Sequence, residues 1–342
     1  MLPDEIDYDD LPLEESTDKK TLKVVNILEF MAHKFPEREP VLSPVFKLCS
    51  INMIFSCRGV GKTHFGLGLA YAAACGKSFL KWDAARAFKV LLIDGEMPGE
   101  SLQDRLAGII ASSDHEPLPD NLKIIPIDMN FGVMPDISTL GGQIEIEAAC
   151  QEADVIIVDN LSCLARSGHE NEAESWGSIG EWALRMRSAG KCIIFMHHAG
   201  KNGTQRGTSK REDLLDIVIE LKHPNDHKPR DGARFIVGFL KGRHLVGDEA
   251  NAFEAWLKTG EDDKQFWEMT DAAESTYSQV VELSILGLTQ AVIATELNVN
   301  RSTVCRHVQA AIDKGDLRPK SEGDIGKNSS KKTQNKRADI DD

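Results

Sequence analysis

An α/β fold built around a mostly parallel sheet, followed by a small all-α domain, is the architecture that this sequence predicts. From about residue 45 onward, short apolar runs rich in β-branched residues alternate with helical stretches, which is typical of parallel strands covered by helices on both faces. The first run leads directly into a glycine-rich segment, residues 56–63, and then into an alanine-rich helical stretch. Near the C-terminus, residues 273–318 carry apolar residues at helical spacing.

Seven segments are predicted as strands. The last two follow each other without an intervening helix, so we expect them to form an antiparallel hairpin at the edge of the sheet. The polar run at residues 261–264 is interpreted as a break that ends the α/β core. The predicted strands are residues 51–55, 90–94, 122–126, 155–159, 192–197, 216–221 and 234–240.

Four parts of the chain are expected. Residues 1–21 and 319–342 are tails, acidic and basic respectively, with the composition of disordered segments. Residues 22–262 form the α/β domain, which begins with an amphipathic helix over residues 22–35. Residues 273–318 form the small helical domain.

Composition argues against several classes of protein. The chain of 342 residues has a net charge of −14, which argues against a protein that coats duplex DNA by bulk electrostatic attraction. No apolar run approaches the roughly 18 residues of a membrane span, and the acidic N-terminus is unlike a secretory signal. The seven cysteines are scattered without the spacing of a zinc site. We therefore expect a reduced, cytoplasmic protein.

The glycine-rich segment has the pattern of a phosphate-binding loop. Its order of strand, turn, Gly-Lys-Thr and helix directs backbone N–H groups and a helix N-terminus at one point, which favours a triphosphate. Lys62 is expected to reach the β- and γ-phosphates of ATP, and the Thr63 hydroxyl is expected to bind Mg²⁺. The candidate nucleotide-binding residues are Arg58, Gly59, Val60, Gly61, Lys62, Thr63 and His64.

One position departs from that pattern. The loop ordinarily opens with glycine, whereas this chain has Ser56 there. If φ is positive at Ser56, its Cβ atom is expected to cost about 1 kcal/mol of strain.

Two carboxylates at predicted strand ends are candidates for the chemistry of hydrolysis. Asp159 ends an apolar strand, which is the arrangement of a Walker B carboxylate that holds Mg²⁺. Glu96 follows another strand and is placed to orient the attacking water if that strand lies beside the phosphate-loop strand. The alternative is structural, since Asp159, Asp94 or Glu96 can instead cap the turn or helix that follows.

Further polar residues follow the later strands. His198 is the candidate sensor of the γ-phosphate, because it lies one residue further past its strand end than His197. The basic, glycine-rich loop 200–211 is expected to contact a nucleic-acid backbone or a neighbouring subunit's phosphate, or to be a solvated linker. Lys241 and Arg243 close the last strand and are either trans-acting cations at a neighbouring subunit or solubilising charges.

Together these motifs resemble those of the RecA-like P-loop ATPases, within the AAA family of ATPases, and in particular the RepA-like hexameric helicases of plasmids and phages. The resemblance implies Lys62, Glu96 and His198 as catalytic residues, and Thr63 with Asp159 as the Mg²⁺ site. It covers about residues 40–260 and is carried by residues 58–63, 94–98, 158–162, 197–201, 206–209 and 241–243.

The resemblance also implies an assembly. ATP and Mg²⁺ would be the cofactors of a ring-shaped homo-oligomer, a hexamer, with single-stranded DNA in its channel. The loop after His198 would face that channel. Arg206, Lys241 or Arg243 would act on the nucleotide of the neighbouring subunit.

Residues 288–308 resemble a helix-turn-helix. The residues expected to pack its core are Ile293, Ala294, Leu297, Val299, Val304 and Val308. Asn300 is expected to cap the second helix. The residues that would then face duplex DNA are Arg301, Ser302, Thr303, Arg306 and Gln309. A helical protein-docking domain is the alternative.

The function predicted from these motifs is an ATP-hydrolysing motor on DNA, a helicase-type replication ATPase of a plasmid- or phage-like element. Two other functions share the same motifs. One is a DNA-binding regulator whose assembly is switched by ATP, and the other is a RecA-like recombination or repair accessory that forms filaments.

Overall fold

The structure is a computed structural model that describes residues 22–35, 37–166, 172–199, 213–297 and 299–318. The chain divides into two compact units, Met1–Glu37 and Arg38–Asp342. The tails predicted at residues 1–21 and 319–342 lie outside the described residues. Within the part that is described, no helix is long and apolar enough to cross a membrane.

In the first unit, helix α1 spans Ile27–Ala32 and is shorter than the helix predicted over residues 22–35. It begins with a capping box, because the Asn26 side chain accepts from the Glu29 N–H and the Glu29 carboxylate accepts from the Asn26 N–H. Its six residues are all exposed. The apolar face predicted for this segment is therefore not packed within the unit.

The second unit contains the remaining strands and helices. In chain order these are β1 (Pro40–Leu42), β2 (Phe46–Lys47), β3 (Ser50–Ser56), α2 (Lys62–Cys75), β4 (Val90–Asp94), α3 (Gly99–Ser112), β5 (Leu122–Pro126), α4 (Leu140–Glu152), β6 (Val155–Asp159), α5 (Leu161–Leu164), α6 (Glu172–Ser188), β7 (Cys192–His198), β8 (Ile217–Lys222), β9 (Arg234–Gly242), β10 (Phe253–Thr259), β11 (Gln265–Asp271), α7 (Ala272–Ile285), α8 (Gln290–Glu296) and α9 (Arg301–Lys314).

Nine of these strands form one sheet in the order β11-β10-β9-β8-β3-β7-β6-β4-β5. From β8 to β5 every neighbouring pair is parallel. All seven predicted strands are present, with ends that differ from the prediction by two residues at most. The predicted fold class, a RecA-like α/β core with a mostly parallel sheet, is confirmed.

The antiparallel side of the sheet differs from the prediction. β8 is not in an edge hairpin, because it pairs parallel with β3 on one side and antiparallel with β9 on the other. β10 and β11 extend the sheet beyond β9. Residues 261–264 are the turn between β10 and β11, closed by the Gly260 N–H donating to the Lys264 carbonyl. The predicted break at these residues is therefore wrong.

The two faces of the sheet are covered by different helices. Ile51, Met53 and Phe55 of β3 pack against α4, α5 and α6, whereas Ile54 faces α2 and α3. This alternation follows from the two-residue period of a strand. Because the strands are parallel, the carboxyl ends of β3, β4, β6 and β7 meet at one edge, which is where ligands bind in open α/β sheets.

Helices α7, α8 and α9 pack around a small apolar core of their own. Its buried members are Val280, Ile293, Leu297 and Val304, and the residues predicted for this core all belong to it. Asn300 is the N-cap of α9 but makes no side-chain capping hydrogen bond. Gln279 of α7 donates to Asp226, and Asn225 donates to the Leu297 carbonyl. These bonds connect the helices to the segment between β8 and β9.

Candidate nucleotide-binding site

The phosphate-binding loop joins β3 to α2. Gly59 and Gly61 have φ of 81° and 112°, values that glycine adopts without the clash of a Cβ atom. A Cβ atom at Gly61 would also lie 3.1 Å from the Ala233 Cβ. Helix α2 starts at Lys62, directly after the loop, so its unpaired first-turn N–H groups are available to an anion.

Ser56 does not carry the strain expected from the sequence. It is the last residue of β3, buried and extended rather than left-handed. Its hydroxyl donates to the Cys57 carbonyl over 2.9 Å. The sharp turn begins after Ser56, so the positive φ on which strain would depend is not present and a Cβ atom is accommodated there.

The side chains of Lys62 and Asp159 lie close to each other. The Lys62 Nζ lies 3.9 Å from the Asp159 Oδ1, and the two residues are only 6% and 3% exposed. Burial raises the pKa of Asp159 to about 6, although the Lys62 charge opposes this rise. Burial also lowers the pKa of Lys62, against the attraction of Asp159. Water therefore stabilises neither charge well, and each depends on nearby opposite charge.

The residues around Asp159 fit Mg²⁺. The Thr63 side chain lowers the pKa of the Asp159 carboxyl against the effect of burial, and the buried Oδ1 of Asp159 accepts no hydrogen bond. Mg²⁺ takes hydroxyl and carboxylate oxygens and completes its shell with phosphate oxygens and water. In the described part of the chain no group of three His, Cys, Asp or Glu side chains makes a metal site by itself.

A second group of side chains lies beside this pair. Asn160 donates its side-chain amide to Glu96 and lies 3.1 Å from the His198 Nε2. The same nitrogen of His198 is 3.3 Å from the Glu96 Oε2, and the Nδ1 is 3.4 Å from the Lys62 Nζ. The structure thus brings the three predicted catalytic residues, Lys62, Glu96 and His198, into one connected group.

Glu96 reaches this group by a route that the sequence did not predict. Its strand, β4, is separated from β3 by β7 and β6, so the expected adjacency of the two strands is wrong. Asp94 accepts the backbone N–H groups of Glu96 and Met97 at 2.9 and 2.8 Å. Asp94 therefore makes the capping contacts, and the Glu96 carboxylate, whose side chain is 49% exposed, is free to meet water.

The two adjacent histidines point in different directions. His197 is buried and lies 3.4 Å from the Ser162 hydroxyl, whereas His198 faces Lys62 and Glu96. Burial and the Lys62 charge lower the pKa of His198, which favours the neutral ring. With Lys62 as donor, the Nδ1 of His198 is an acceptor and its Nε2–H is directed at Glu96.

A cavity of about 800 Å³ opens over these residues. It is lined by the predicted residues Arg58, Gly59, Gly61, Lys62, Thr63, His64, Glu96, Asp159 and His198. Val60 is buried under the loop and is not part of the lining. Burial, with a smaller contribution from Arg105, lowers the pKa of His64 to about 4, so this ring is neutral at pH 7.

Sequence reasoning missed Asn160, which contacts Glu96 without lining the cavity, and several residues that do line it. Asn160 could have been identified from the sequence, because it follows directly after Asp159 and begins the next turn. Arg105 on α3 lines the cavity but is one of many helical cations in the sequence. The segment 223–233, between β8 and β9, contributes His223, His227, Pro229, Gly232 and Ala233. Its place could not be predicted without knowing that β8 lies beside β3.

Two of the predicted trans-acting residues, Lys241 and Arg243, do not line this cavity. Lys241 and Gly242 pair with Val218 and Ile217 at the start of β8, which is the edge of the sheet opposite the phosphate-binding loop. Arg243 donates to the Asp213 carbonyl. Arg206, with the rest of loop 200–211, lies outside the described residues.

The predicted DNA-contacting residues share one helix. Arg301, Ser302, Arg306 and Gln309 of α9 are exposed, and Thr303 is half-buried. Gln309 hydrogen-bonds Asp313. Val304, on the opposite side of α9, is fully buried. α9 therefore has one face in the small core and one polar face on the surface.

Two solved structures are similar to part of this chain. The flagellar accessory protein FlaH of Methanocaldococcus jannaschii is 12% identical, over 65% of this chain and 91% of that chain, with a TM-score of 0.43. A KaiC-like protein of Pyrococcus horikoshii OT3 is 13% identical, over 68% of this chain and 99% of that chain, with a TM-score of 0.41. The fold class follows from the strand order above rather than from these two likenesses. No curated protein sequence matches the chain.

A model of one protein family matches the chain over more than half of its length. That family is described as an AAA domain, and the match covers residues 18–204 of the 342. The matched region contains the phosphate-binding loop together with Glu96, Asp159 and His198. The chain belongs to the AAA domain family of P-loop ATPases.

Proposed function

We propose that the chain is an ATP-hydrolysing motor that acts on DNA, of the helicase type used in replication by plasmid- or phage-like elements. The observation that carries the proposal is the convergence of Lys62, Asp159, Glu96 and His198 on one cavity. Binding alone needs only the loop and a metal ligand. A water-accessible carboxylate beside a γ-phosphate position is needed for turnover.

The chain's residues divide the work of hydrolysis. Lys62 and the loop N–H groups hold the β- and γ-phosphates in line for attack. Glu96 orients a water and accepts its proton while the water oxygen bonds to the γ-phosphorus and the bond to the bridging oxygen breaks. ADP and phosphate leave. Thr63 and Asp159 would hold Mg²⁺, which would neutralise charge on the phosphate oxygens.

His198 is proposed as the link between the nucleotide and the rest of the machine. Its ring contacts Lys62 and Glu96, and the loop 200–211 follows it directly in the chain. Loss of the γ-phosphate would change the hydrogen bonds of this ring and the start of that loop. In a ring of subunits the loop would contact single-stranded DNA.

Assembly as a ring hexamer is part of the proposal. Lys241 and Arg243 lie at the sheet edge away from their own cavity, so they would act, with Arg206, at a neighbouring subunit's nucleotide. The exposed polar face of α9 would hold duplex DNA by phosphate and base-edge contacts.

The test is strand displacement on a forked duplex with ATP and Mg²⁺, paired with ATP hydrolysis with and without single-stranded DNA. A motor is expected to displace the strand and to hydrolyse ATP faster when the strand is present. The variant Glu96→Gln, which should still bind nucleotide, is the matched control and should do neither.

A regulator switched by ATP is the second candidate, favoured by the bonds between the 223–233 segment and the C-terminal helices. It would bind duplex DNA in an ATP-dependent way without strand displacement and without stimulation by single strands. A recombination or repair accessory would form filaments with ATP and Mg²⁺ in negative-stain images, where the motor would form rings.

A further inference from the structure

We propose that Asp94 and Asp128 are positioning residues, which together hold the Glu96 carboxylate where it can orient the attacking water. The proposal rests on the proposed function, since both aspartates would act through Glu96. Glu96 lies in the short connection between β4 and α3, and its side chain is 49% exposed. Such a side chain needs a restraint other than packing, because an error of about 1 Å in the position of a catalytic group can slow a reaction about a hundredfold.

Asp94 restrains the beginning of this connection. Its Oδ1 accepts the backbone N–H groups of Glu96 and Met97 at 2.9 and 2.8 Å. Asp94 is only 1% exposed, so water competes little for these two bonds. Both bonds end on one oxygen atom, and an amide oxygen in the same place could accept them equally. The turn that presents Glu96 therefore depends on an acceptor and not on a negative charge.

The same turn is tied to the strand that carries Asp159. The Gly95 N–H donates to the Asp159 carbonyl over 2.8 Å, and Asp94 and Asp159 are partners in the register of β4 and β6. Gly95 also packs closely on α5, since a Cβ atom there would lie 2.9 Å from the Leu164 Cδ2. The backbone before Glu96 is therefore fixed relative to Asp159.

Asp128 restrains the far end of the connection. Its Oδ2 accepts the N–H of Gly99, the first residue of α3, over 2.6 Å. Pro98, the N-cap of α3, makes no side-chain capping bond. Asp128 begins a 3-10 turn after β5, where the Asn130 side chain donates to the Pro126 carbonyl over 2.8 Å. A carboxylate from beyond the edge strand thus supplies the cap that α3 does not supply itself.

Every backbone N–H group of residues 95–99 has an acceptor. Pro98 has no N–H, and each of the other four donates over 2.9 Å or less. Three of these bonds end on the carboxylates of Asp94 and Asp128. A connection fixed in this way presents Glu96 before any nucleotide binds, which lowers the entropy cost of orienting it for reaction.

The experiment compares single-turnover hydrolysis of MgATP, calorimetric MgADP affinity and urea unfolding among variants of the full chain. Asp94→Ala and Asp128→Ala remove the acceptors, whereas Asp94→Asn and Asp128→Asn keep an oxygen that can accept the same N–H groups. Asp154→Ala is the matched control. Asp154 also accepts a backbone N–H, that of Lys89 at 3.0 Å, but it lies just before β6, at the opposite edge of the sheet.

Asp94→Ala should hydrolyse ATP about ten- to a hundredfold more slowly, with MgADP affinity within about twofold of the wild type. Asp128→Ala should lose about three- to tenfold, because Asp128 is exposed and water can replace its bond. Each asparagine variant should stay within about threefold of the wild-type rate. Asp154→Ala should change only the free energy of unfolding.

A double-mutant cycle with Glu96→Gln separates positioning from a purely structural role. If Asp94 acts through Glu96, adding Asp94→Ala to Glu96→Gln should slow hydrolysis no further. Additive effects in this cycle would place the action of Asp94 elsewhere and overturn the proposal.

Other results would also overturn it. Hydrolysis as slow in Asp94→Asn as in Asp94→Ala would show that the charge is required, and a wild-type rate in Asp94→Ala or Asp128→Ala would remove that residue's positioning role. These results leave the proposed ATPase intact. A wild type that binds MgADP but does not hydrolyse ATP would instead refute the proposed function, and the positioning role with it.

Discussion

The nucleotide cavity and the polar face of α9 are two differently built surfaces of one chain. Lys62 and Asp159 come from elements far apart in sequence and are buried against each other. Arg301 and Arg306 come from one helix and are exposed. A buried charge is costly unless its partners are in place, so the cavity depends on the whole sheet. The face of α9 needs only the small core beneath it.

This difference means that the two sites should fail independently. A change in the cavity alters how charges are paired and hydrated, and it should affect chemistry strongly. A change on the α9 face leaves the fold as it is, and its effect should be visible only with a partner present. An effect of a change at one site on the function of the other site would contradict this independence.

Glu96→Gln is expected to have a larger effect on function than the changes at His64, Asn160 and Arg306. The amide cannot accept a proton from water, so single-turnover ATP hydrolysis should fall by about a hundred- to ten-thousandfold. MgADP affinity should stay within about twofold, because Glu96 is not in the phosphate-binding loop. Hydrolysis near the wild-type rate would assign the carboxylate's task to another residue.

The substitution His64→Asn tests the burial of the His64 side chain through the pH dependence of protein stability. Its folded-state pKa is lowered to about 4 by burial, so the unfolded chain binds the proton first as pH falls below 6.5. The free energy of unfolding should therefore decline by about 2 kcal/mol more in the wild type than in this variant between pH 7 and pH 5. Urea unfolding at both pH values measures it.

His307→Asn on α9 is the matched control for that experiment. Burial also lowers the pKa of His307, so its effect on stability has the same direction as that of His64. This side chain, however, belongs to the small helical domain and not to the cavity. Its contribution to the pH dependence should be smaller than that of His64. An equal or larger contribution would contradict the contrast in burial between the two regions.

Asn160→Ala should have an intermediate effect on turnover. Asn160 contacts Glu96 and lies against His198, so it positions both rather than reacting itself. Loss of one hydrogen bond to a charged group should reduce the rate of hydrolysis about tenfold. Asn160→Asp, which repels Glu96, should reduce it further, and a rate unaffected by both changes would remove the positioning role.

Arg306→Ala should have the smallest effect and only with DNA. Duplex affinity at low salt should fall by about tenfold at most, with a shallower dependence on salt. Basal ATP hydrolysis should not change. Lys264→Ala, an exposed cation in the β10–β11 turn, controls for net charge. Unchanged duplex affinity of Arg306→Ala would return the helices to the protein-docking interpretation.

The parallel part of the fold was predictable because its strands are buried on both faces. Continuous apolar runs such as residues 90–94 and 155–159 have few other interpretations. β10 and β11 were missed because they mix charged with apolar residues, and because β11 is the mostly exposed edge strand of the sheet. Lys258 and Glu268, for example, pair across the two strands.

The candidate site was predictable to the extent that it is local. The loop, Asp159, Glu96 and His198 stand next to strand ends in the sequence, so the edge of a parallel sheet gathers them. His223 and His227 reach the cavity only through the pairing of β8 with β3. No short motif encodes such a pairing. Ser56 shows the opposite error, since a local rule was applied where the strand continues.

Lys62 and Asp159 converge at the point where triphosphate chemistry is proposed to take place. The most direct test is single-turnover hydrolysis of MgATP by the wild type and Lys62→Ala, with the exposed Lys89→Ala as control. We predict that the wild type and Lys89→Ala hydrolyse ATP only with Mg²⁺, and that Lys62→Ala is slower by about a hundred- to a thousandfold. Wild-type turnover in Lys62→Ala, or none in the wild type, would contradict the account.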